Sequence, residues 1–408
     1  MRILLIHQAF AALGEPGGTR HHEFCRWLAE QGHAVTVVTA RVSYLTGEPV
    51  ETAAAGAVQV DDLGVRIVRC WSYRSYHRSF VHRALSFLSF MVSSLVVALR
   101  QGALDVVWGT SPPLMQGATA WAVARLRQAA LVFEVRDLWP EFAIAVGVLR
   151  NRLLIRMSLW LECFLYRKAD ALVVNSPGFV DHVRQRGGRQ IELIPNGVDV
   201  EMFTPKDRGA SFRQAHALGD QFLVMYAGAH GLSNDLGIVL DAAAALRSHP
   251  GITIVLLGDG KEKPELMARA AHERLDNVRF IPPLPKREMA QALAASDVCL
   301  AILKPLAAYR TTYPNKVFDY MAAGRPTLLA IDGVIRQVVE SEGAGVFVPP
   351  GDGVALAEAI LRMSEDEAGR RRMGEAARRA AERSFDRRQL AAQMLQVMHT
   401  AHARRSVQ

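Results

Sequence analysis

The chain has 408 residues, half of them hydrophobic, with 48 Lys and Arg against 40 Asp and Glu and a formal charge of +8. That length exceeds one ordinary core, so two domains are expected, and the positive balance points to an anionic partner. The four cysteines (Cys25, Cys70, Cys163, Cys299) stand far apart without metal-ligand spacing, so reduced thiols and no metal site are expected.

Arg2 to Ile6 reads as a strand starting directly from Met1, and without a small-residue cleavage site no leader peptide is expected. The following loop carries Pro16-Gly17-Gly18-Thr19-Arg20 and opens a helix running to about Glu30. Gly17 and Gly18 allow a ligand close to the backbone, and free N–H groups at a helix start suit a phosphate or sugar oxygen. A double Gly at such a turn is also common structural punctuation. Of the adjacent His21 and His22, at most one faces a site, and ordinary surface or core histidines are the simpler reading. Gly32-His33 turns into a strand from Ala34 to Thr39.

Val65 to Leu104 contains no Asp or Glu but carries Arg66, Arg69, Arg74, Arg78, Arg83 and Arg100, with Trp71, Tyr73, Tyr76 and Phe80 interleaved. Within it, Ala84 to Leu99 is apolar except for Ser86, Ser89, Ser93 and Ser94, whose spacing puts them on one helical face. No apolar run reaches the roughly 20 residues of a spanning helix. The composition suits a helix lying on an anionic leaflet. A core helix with its serines turned inward competes with that reading, and nucleic-acid binding lacks a fold motif to support it. Arg150, Arg152 and Arg156, ahead of the Trp-bearing Leu159 to Leu165, form a second basic–apolar element that favours the membrane surface.

Asp105 to Trp108, Ala130 to Val135 and Ala171 to Asn175 complete a series of short apolar strands separated by helical stretches, the pattern of βαβ units and a parallel sheet. The strand ending at Val135 delivers Arg136, Asp137, Trp139 and Glu141 into one loop. Strand-end loops are where sites are built, although an internal Arg136–Asp137 salt bridge would also explain the charges.

After Pro195-Asn-Gly-Val-Asp199 the pattern restarts. Phe222 to Tyr226 ends at Gly228, Ile252 to Leu257 ends at Gly258-Asp-Gly260, and Val278 to Ile281, Val298 to Ile302 and Thr327 to Ile331 follow. Pro205, Lys206 and Asp207 look like linker, which gives domains of residues 1–205 and 206–383 and a last helical segment, 384–408. The stretch Tyr313 to Pro326 reads as a loop, an amphipathic helix from Lys316 to Ala323, a Gly stop and a strand. A helix N-terminus with Lys316 beside it suits a diphosphate, and Asp319 suits sugar hydroxyls. The chain shows no GxGxxG or GxxxxGK[ST] loop, Ser nucleophile elbow or Cys–His signature.

Ile194-Pro-Asn-Gly-Val-Asp-Val-Glu-Met-Phe203, the Gly258-Asp-Gly260 turn, Pro314 to Pro326, the Arg136 to Glu141 loop and the Gly17-Gly18 loop, in this order, resemble the GT-B-fold glycosyltransferases of family 4 (group 1). The likeness extends to bacterial members that build O-antigen, capsule or exopolysaccharide units. The resemblance implies an α/β fold of two doubly wound, Rossmann-like domains facing a cleft. It implies a UDP-sugar donor held mainly by the C-terminal domain and a polyprenyl-diphosphate-linked acceptor held by the N-terminal one. The last helix is expected to cross back to the first domain. Hexosyl or N-acetylhexosaminyl transfer with retained configuration is expected, at the cytoplasmic face of the inner membrane, with no metal, no cofactor and no nucleic acid. Site residues implied are Arg136, Asp137 and Lys316 for catalysis, and Gly17, Gly18, Gly228, Asn234, Gly258, Lys261, Asn315, Lys316, Val317 and Asp319 for the donor. Arg74, Arg78, Arg83 and Glu141 are assigned to acceptor or membrane.

Two positions depart from the family pattern. Thr311 stands where the family has its first acidic residue, eight positions before Asp319, and Asn234 stands where many members have a diphosphate-binding Lys. Lys316 or Lys261 is expected to compensate, and Arg136 occupies roughly the place of a His near the reacting sugar. An epimerase on the same fold and a non-catalytic scaffold are the competing readings.

Overall fold

The computed structural model describes residues 1–11, 18–42, 58–61, 63–73, 80–203 and 208–407. They form two compact units, Met1–Pro195 with Arg387–Gln408, and Asn196–Asp386.

In the first unit, strands β1 (Arg2–Ile6), β2 (Ala34–Ala40), β3 (Val58–Val60), β4 (Arg66–Cys70), β5 (Val106–Ser111), β6 (Ala130–Val135), β7 (Ala171–Val174) and β8 (Ile191–Leu193) make one sheet in the order β3-β4-β2-β1-β5-β6-β7-β8. Only the β3–β4 pair is antiparallel. Its helices are α1 (Arg20–Glu30), α2 (Phe80–Leu99), α3 (Leu114–Leu126), α4 (Glu141–Ala145), α5 (Arg152–Lys168), α6 (Val180–Gln185) and the C-terminal helix Arg387–Val407. Alternation along β1 divides the core. Ile3 and Leu5 pack with Phe24 and Leu28 of α1 and Met394 and Met398 of the C-terminal helix. Leu4 and Ile6 face the other way, toward Phe90 and Ala98 of α2 and Ala120 and Val123 of α3.

The second unit repeats the design with β9 (Phe222–Ala227), β10 (Ile252–Leu257), β11 (Val278–Ile281), β12 (Val298–Ile302), β13 (Thr327–Ala330) and β14 (Gly345–Phe347), all parallel, in the order β11-β10-β9-β12-β13-β14. Its helices are α7 (Ala210–Ala215), α8 (Leu236–Ala245), α9 (Lys263–His272), α10 (Lys286–Ala295), α11 (Asn315–Ala322), α12 (Val334–Ser341), α13 (Gly353–Glu365) and α14 (Glu367–Ser384). Both sheets reverse winding direction in the middle, between β1 and β5 and between β9 and β12. In sheets of this kind ligands bind outside the carboxyl ends of the strands at such a reversal.

The break falls after Pro195 and the return at Arg387, rather than at residues 205 and 384. Val198 and Phe203 are buried in the second core, the Val198 N–H donates to Phe385 O at 2.8 Å, and Arg378 donates to Phe203 O at 2.8 Å. The segment after Pro195 therefore packs as part of the second unit.

Contrary to the expectation that no segment is long enough, His82–Leu99 of α2 has the length and composition to cross a membrane. It is nevertheless built into the first unit. Ser86, Phe90, Ser94 and Ala98, at four-residue spacing, are buried against the sheet and α3, and the Thr119 hydroxyl donates to Met91 O at 3.1 Å. Ser86 and Ser94 face inward, Ser89 and Ser93 are half-buried, and Leu85, Leu88, Val92 and Val96 form the exposed stripe.

Candidate functional site

A polar centre in the second unit forms where β9 and β10 end. Gly258 has φ +140°, and a Cβ there would lie 1.9 Å from Gly228 O, so the two loops touch backbone to backbone as only glycine permits. Gly228 N–H donates to Leu257 O at 3.0 Å and His230 N–H to Asp259 O at 2.8 Å, which locks one loop on the other. Ser233 in turn holds the loop after β12, through its carbonyl to Lys304 N–H at 2.9 Å and its hydroxyl to Tyr309 at 2.5 Å.

Helix α11 brings Lys316 and Asp319 to this centre. Tyr320 is buried within its second turn and anchors it by accepting from Ala227 N–H at 3.1 Å and donating to Leu300 O at 3.1 Å. Lys316 Nζ then sits 3.8 Å from the Tyr226 ring centroid. A Cβ on Gly228 would be 2.8 Å from that nitrogen, so the glycine makes room for it. The Lys316 side chain is half-buried, but its nitrogen is out of solvent and has no hydrogen-bond partner. Burial pulls its pKa down to about 7. Asp319 accepts from Lys286 Nζ at 2.5 Å through one oxygen and keeps the other unpaired. His230, fully buried, has both ring nitrogens unpartnered.

Other expected donor residues fall differently. Asn234 is taken up in a turn, its N–H on Gly231 O at 2.9 Å. Lys261 is exposed. Lys263 instead folds back, its ammonium donating to Gly258 O at 2.7 Å. Val317 is a core residue whose N–H returns to Pro314 O at 3.1 Å, so it supports the helix end and presents no group to a ligand. Asn315 is exposed at the start of α11. Thr311 spends its hydroxyl on Ala308 O at 2.8 Å. His230, Lys263 and Lys286 were missed by the sequence reading. Only His230, beside the Gly228 strand end, carried a local signal.

The first unit has its own polar centre at the carboxyl ends of β1, β5 and β6. Glu134, with no exposure, accepts from Arg20, from His21 Nε2 at 2.9 Å and from Trp108 Nε1 at 3.0 Å. Burial works to raise its pKa, but Arg20 and His21 outweigh it and hold the carboxyl down to about 2. Burial lowers His21 to about 4, so it is a neutral donor at pH 7. The His7 ring lies 4.3 Å from that of His21. Its Nδ1 is 3.1 Å from the Thr110 hydroxyl, which accepts from Gln116 Nε2 at 2.8 Å. Burial and the surrounding Arg136, His21 and Arg20 keep His7 neutral. The sequence allowed at most one of His21 and His22 at a site and favoured ordinary surface or core histidines; His21 is buried within this cluster. His22 is also buried, 3.6 Å from Asp61.

Arg136 is half-buried and donates to Pro112 O at 2.7 Å, while Asn175 Nδ2 donates to Arg136 O at 2.9 Å. Arg136 forms no ion pair with Asp137 among the described residues. Asp137 is exposed, and the protein around it works to raise its carboxyl against the pull of Arg136. Glu141 lies 2.8 Å from His182 Nδ1, and Nε2 of that ring is 2.7 Å from the buried Glu162, which also accepts from Arg186 at 2.8 Å and Tyr166 at 3.1 Å. Glu141 thus links α4 to α6 and, through His182, to Glu162 of α5. Gly18 has open space around it, and Arg83 lies half-buried on α2. Gly17, Arg74 and Arg78 lie outside the described residues.

Two family models match, the glycosyl transferase 4-like domain over residues 17–197 and the glycosyl transferases group 1 domain over residues 221–366. The putative colanic acid biosynthesis glycosyl transferase WcaI of Escherichia coli is 24% identical over 351 residues, covering 83% of this chain and 86% of WcaI. The probable glycosyltransferase WbjE of Pseudomonas aeruginosa is 26% identical over 309 residues, covering 72% and 76%. Among solved structures, Anabaena HepE in complex with UDP superposes with a TM-score of 0.74 at 18% identity, over 98% of this chain and all of HepE. Two successive family domains and the shared fold make the conclusion direct: the chain belongs to the group 1 glycosyltransferases of GT-B fold.

Proposed function

We propose that this chain transfers a hexosyl or N-acetylhexosaminyl group, with retention, from a UDP-sugar to a polyprenyl-diphosphate-linked saccharide during cell-surface polysaccharide assembly. The observation that carries the donor half is the set of unpaired polar atoms on the loop after β9 and on α11: both nitrogens of His230, Lys316 Nζ and one oxygen of Asp319. Buried polar groups without partners cost stability, and a diphosphate with an attached ribose would satisfy them together. WcaI and WbjE, by their names, are glycosyltransferases, WcaI of colanic acid biosynthesis, and HepE was crystallised with UDP; these favour a UDP donor and a polysaccharide product. In the reaction, the bond from the sugar's C1 to the diphosphate oxygen breaks. A bond from C1 to the acceptor hydroxyl oxygen forms on the same face, and the hydroxyl proton passes to the departing diphosphate. Lys316 stabilises the charge on that leaving group. Asp319 holds ribose hydroxyls, with Lys286 fixing its carboxylate.

Support for the membrane as the acceptor's location comes from the first unit. On α2, Leu85, Leu88, Val92 and Val96 face solvent, and on α5 so do Leu153, Leu154, Met157 and Trp160, the last 66% exposed. Both helices pack against α3 on one side of the sheet. Arg150, Arg152 and Arg156 border the α5 stripe. Apolar residues beside arginines suit an anionic lipid surface.

Calorimetry with UDP, GDP and ADP on the wild type and Asp319→Ala tests the donor site; selective UDP binding that weakens at least tenfold in the variant is expected. Turnover of a UDP-sugar only when lipid acceptor is present completes the assignment, whereas isomerisation without acceptor would replace it with an epimerase. Flotation with vesicles containing anionic lipid, lost on Met157→Ser with Trp160→Ser, tests the surface.

A further inference from the structure

The second unit contains an unusual pairing of groups beside the Tyr226 ring. Lys316 Nζ lies 3.8 Å from its centroid and the His230 ring centroid 6.0 Å from it. Both side chains have buried nitrogens with nothing bound to them. A lone unpaired donor is explicable as a packing accident. Three orphaned nitrogens on two residues, one from a strand-end loop and one from a helix start, call for a shared anionic partner.

The neighbouring charged groups do not fill that role. Lys263 is engaged on Gly258 O at 2.7 Å, and Asp259 accepts from Gly260 N–H at 2.8 Å. Asn234, where the family's diphosphate-binding Lys is expected, carries no charge. The His230 backbone is fixed by its N–H to Asp259 O at 2.8 Å and by its carbonyl, which accepts from Glu262 N–H at 2.9 Å. A Cβ on Gly260 would stand 2.4 Å from that carbonyl oxygen. The backbone that carries the imidazole is therefore held in place before any ligand arrives.

We propose, resting on the donor-site reading above, that His230 and Lys316 clamp the nucleotide's diphosphate as a pair and that each gains a proton as the anion binds. Without the anion both cations are disfavoured. Burial foremost, with Lys263 and Lys316 adding to it and Asp259 opposing, lowers His230 to about 4, and burial alone lowers Lys316 to about 7. The remaining groups packed on His230, Tyr226 and Phe280, contribute aromatic faces and no charge at neutral pH. An incoming diphosphate reverses the balance, since an adjacent opposite charge favours the protonated form. Nucleotide binding then takes up protons and weakens as pH rises, which binding by a permanently charged Lys or Arg pair would not do.

The test is calorimetry of UDP binding to the full chain in buffers of differing ionisation enthalpy, at pH 6.5 and pH 8, with His230→Gln and Lys316→Met alongside. At pH 8 the wild type should take up close to one proton per UDP, mostly through Lys316, so that Kd rises about tenfold from pH 8 to pH 9. At pH 6.5 uptake should fall by most of one proton in His230→Gln. At pH 8 it should vanish in Lys316→Met. The nucleotide's own ionisation is common to all three proteins and cancels in these differences. UDP binding to the wild type without proton uptake, or with uptake unchanged in His230→Gln, overturns the clamp and leaves the donor site standing. No binding of UDP, GDP or ADP overturns the donor site and the clamp with it. The wild-type measurement needs no variant, so a folding defect in either substitution does not rescue the proposal.

Discussion

Glu134→Gln removes one negative charge from the centre of the first unit while keeping the side chain's shape. Arg20, whose side chain is 5% exposed, then loses its buried counter-ion, and the carboxylate's acceptor strength toward His21 and Trp108 falls. Breaking a buried pair by removing one partner costs about 3–5 kcal/mol. The carboxyl's own displacement, from 4.5 down to about 2, converts independently to about 3 kcal/mol at neutral pH. With a urea dependence of about 3 kcal/mol per M for a unit of this size, the unfolding midpoint should drop by about 1 M. The pH dependence carries a second check. The folded-state value lies below the unfolded one, so the stabilisation is complete above the unfolded value and is lost as pH falls through the folded one. About 2 of the about 3 kcal/mol should already be gone at pH 3. Urea unfolding followed by the near-ultraviolet signal of Trp108 and its neighbours, at pH 3, 5 and 7, measures both effects. A midpoint shift below about 0.3 M at pH 7, or a wild type and variant losing stability in parallel on acidification, would refute the ion-pair reasoning.

Lys316→Met should raise the stability of the nucleotide-free protein by about 1–2 kcal/mol, because an unpaired buried ammonium is replaced by an apolar chain, while UDP still binds but about tenfold more weakly; thermal melts with and without UDP read both. Because the folded-state pKa of Lys316 is lowered to about 7, that gain should be present below pH 7 and shrink as pH rises toward the unfolded value, a trend the same melts show across pH. Gly258→Ala should destabilise the second unit by more than about 1 kcal/mol and abolish nucleotide binding, since the new Cβ would overlap Gly228 O; unchanged melting would show that the loops have slack. Glu162→Gln should cost about 2–3 kcal/mol by weakening its bonds to His182, Arg186 and Tyr166, measured by urea unfolding, with a smaller loss if Arg186 turns out to solvent.

The alternating strands and helices, the restart after Pro195 and the helix carrying Lys316 and Asp319 were all legible in the sequence, because each is a local matter of apolar period, turn residues and helix-end signals. The structure moves α11 by a single residue at either end, to Asn315–Ala322. The doubled α/β pattern also determined which loops would lie at the strands' carboxyl ends, and so named Gly228, Gly258 and Arg136 in advance. What only the tertiary structure decided is which groups meet. Glu134 finds Arg20, His21 and Trp108 from separate elements, and Asp319 finds Lys286, 33 residues away. Glu141 is drawn to His182, and Ser86 and Ser94 of α2 turn inward, leaving an apolar stripe outside. Periodicity marks a face but not what covers it. The partner of a buried charge is set by strand order and crossover connections, which bring together residues far apart in the chain, and no local pattern records that pairing.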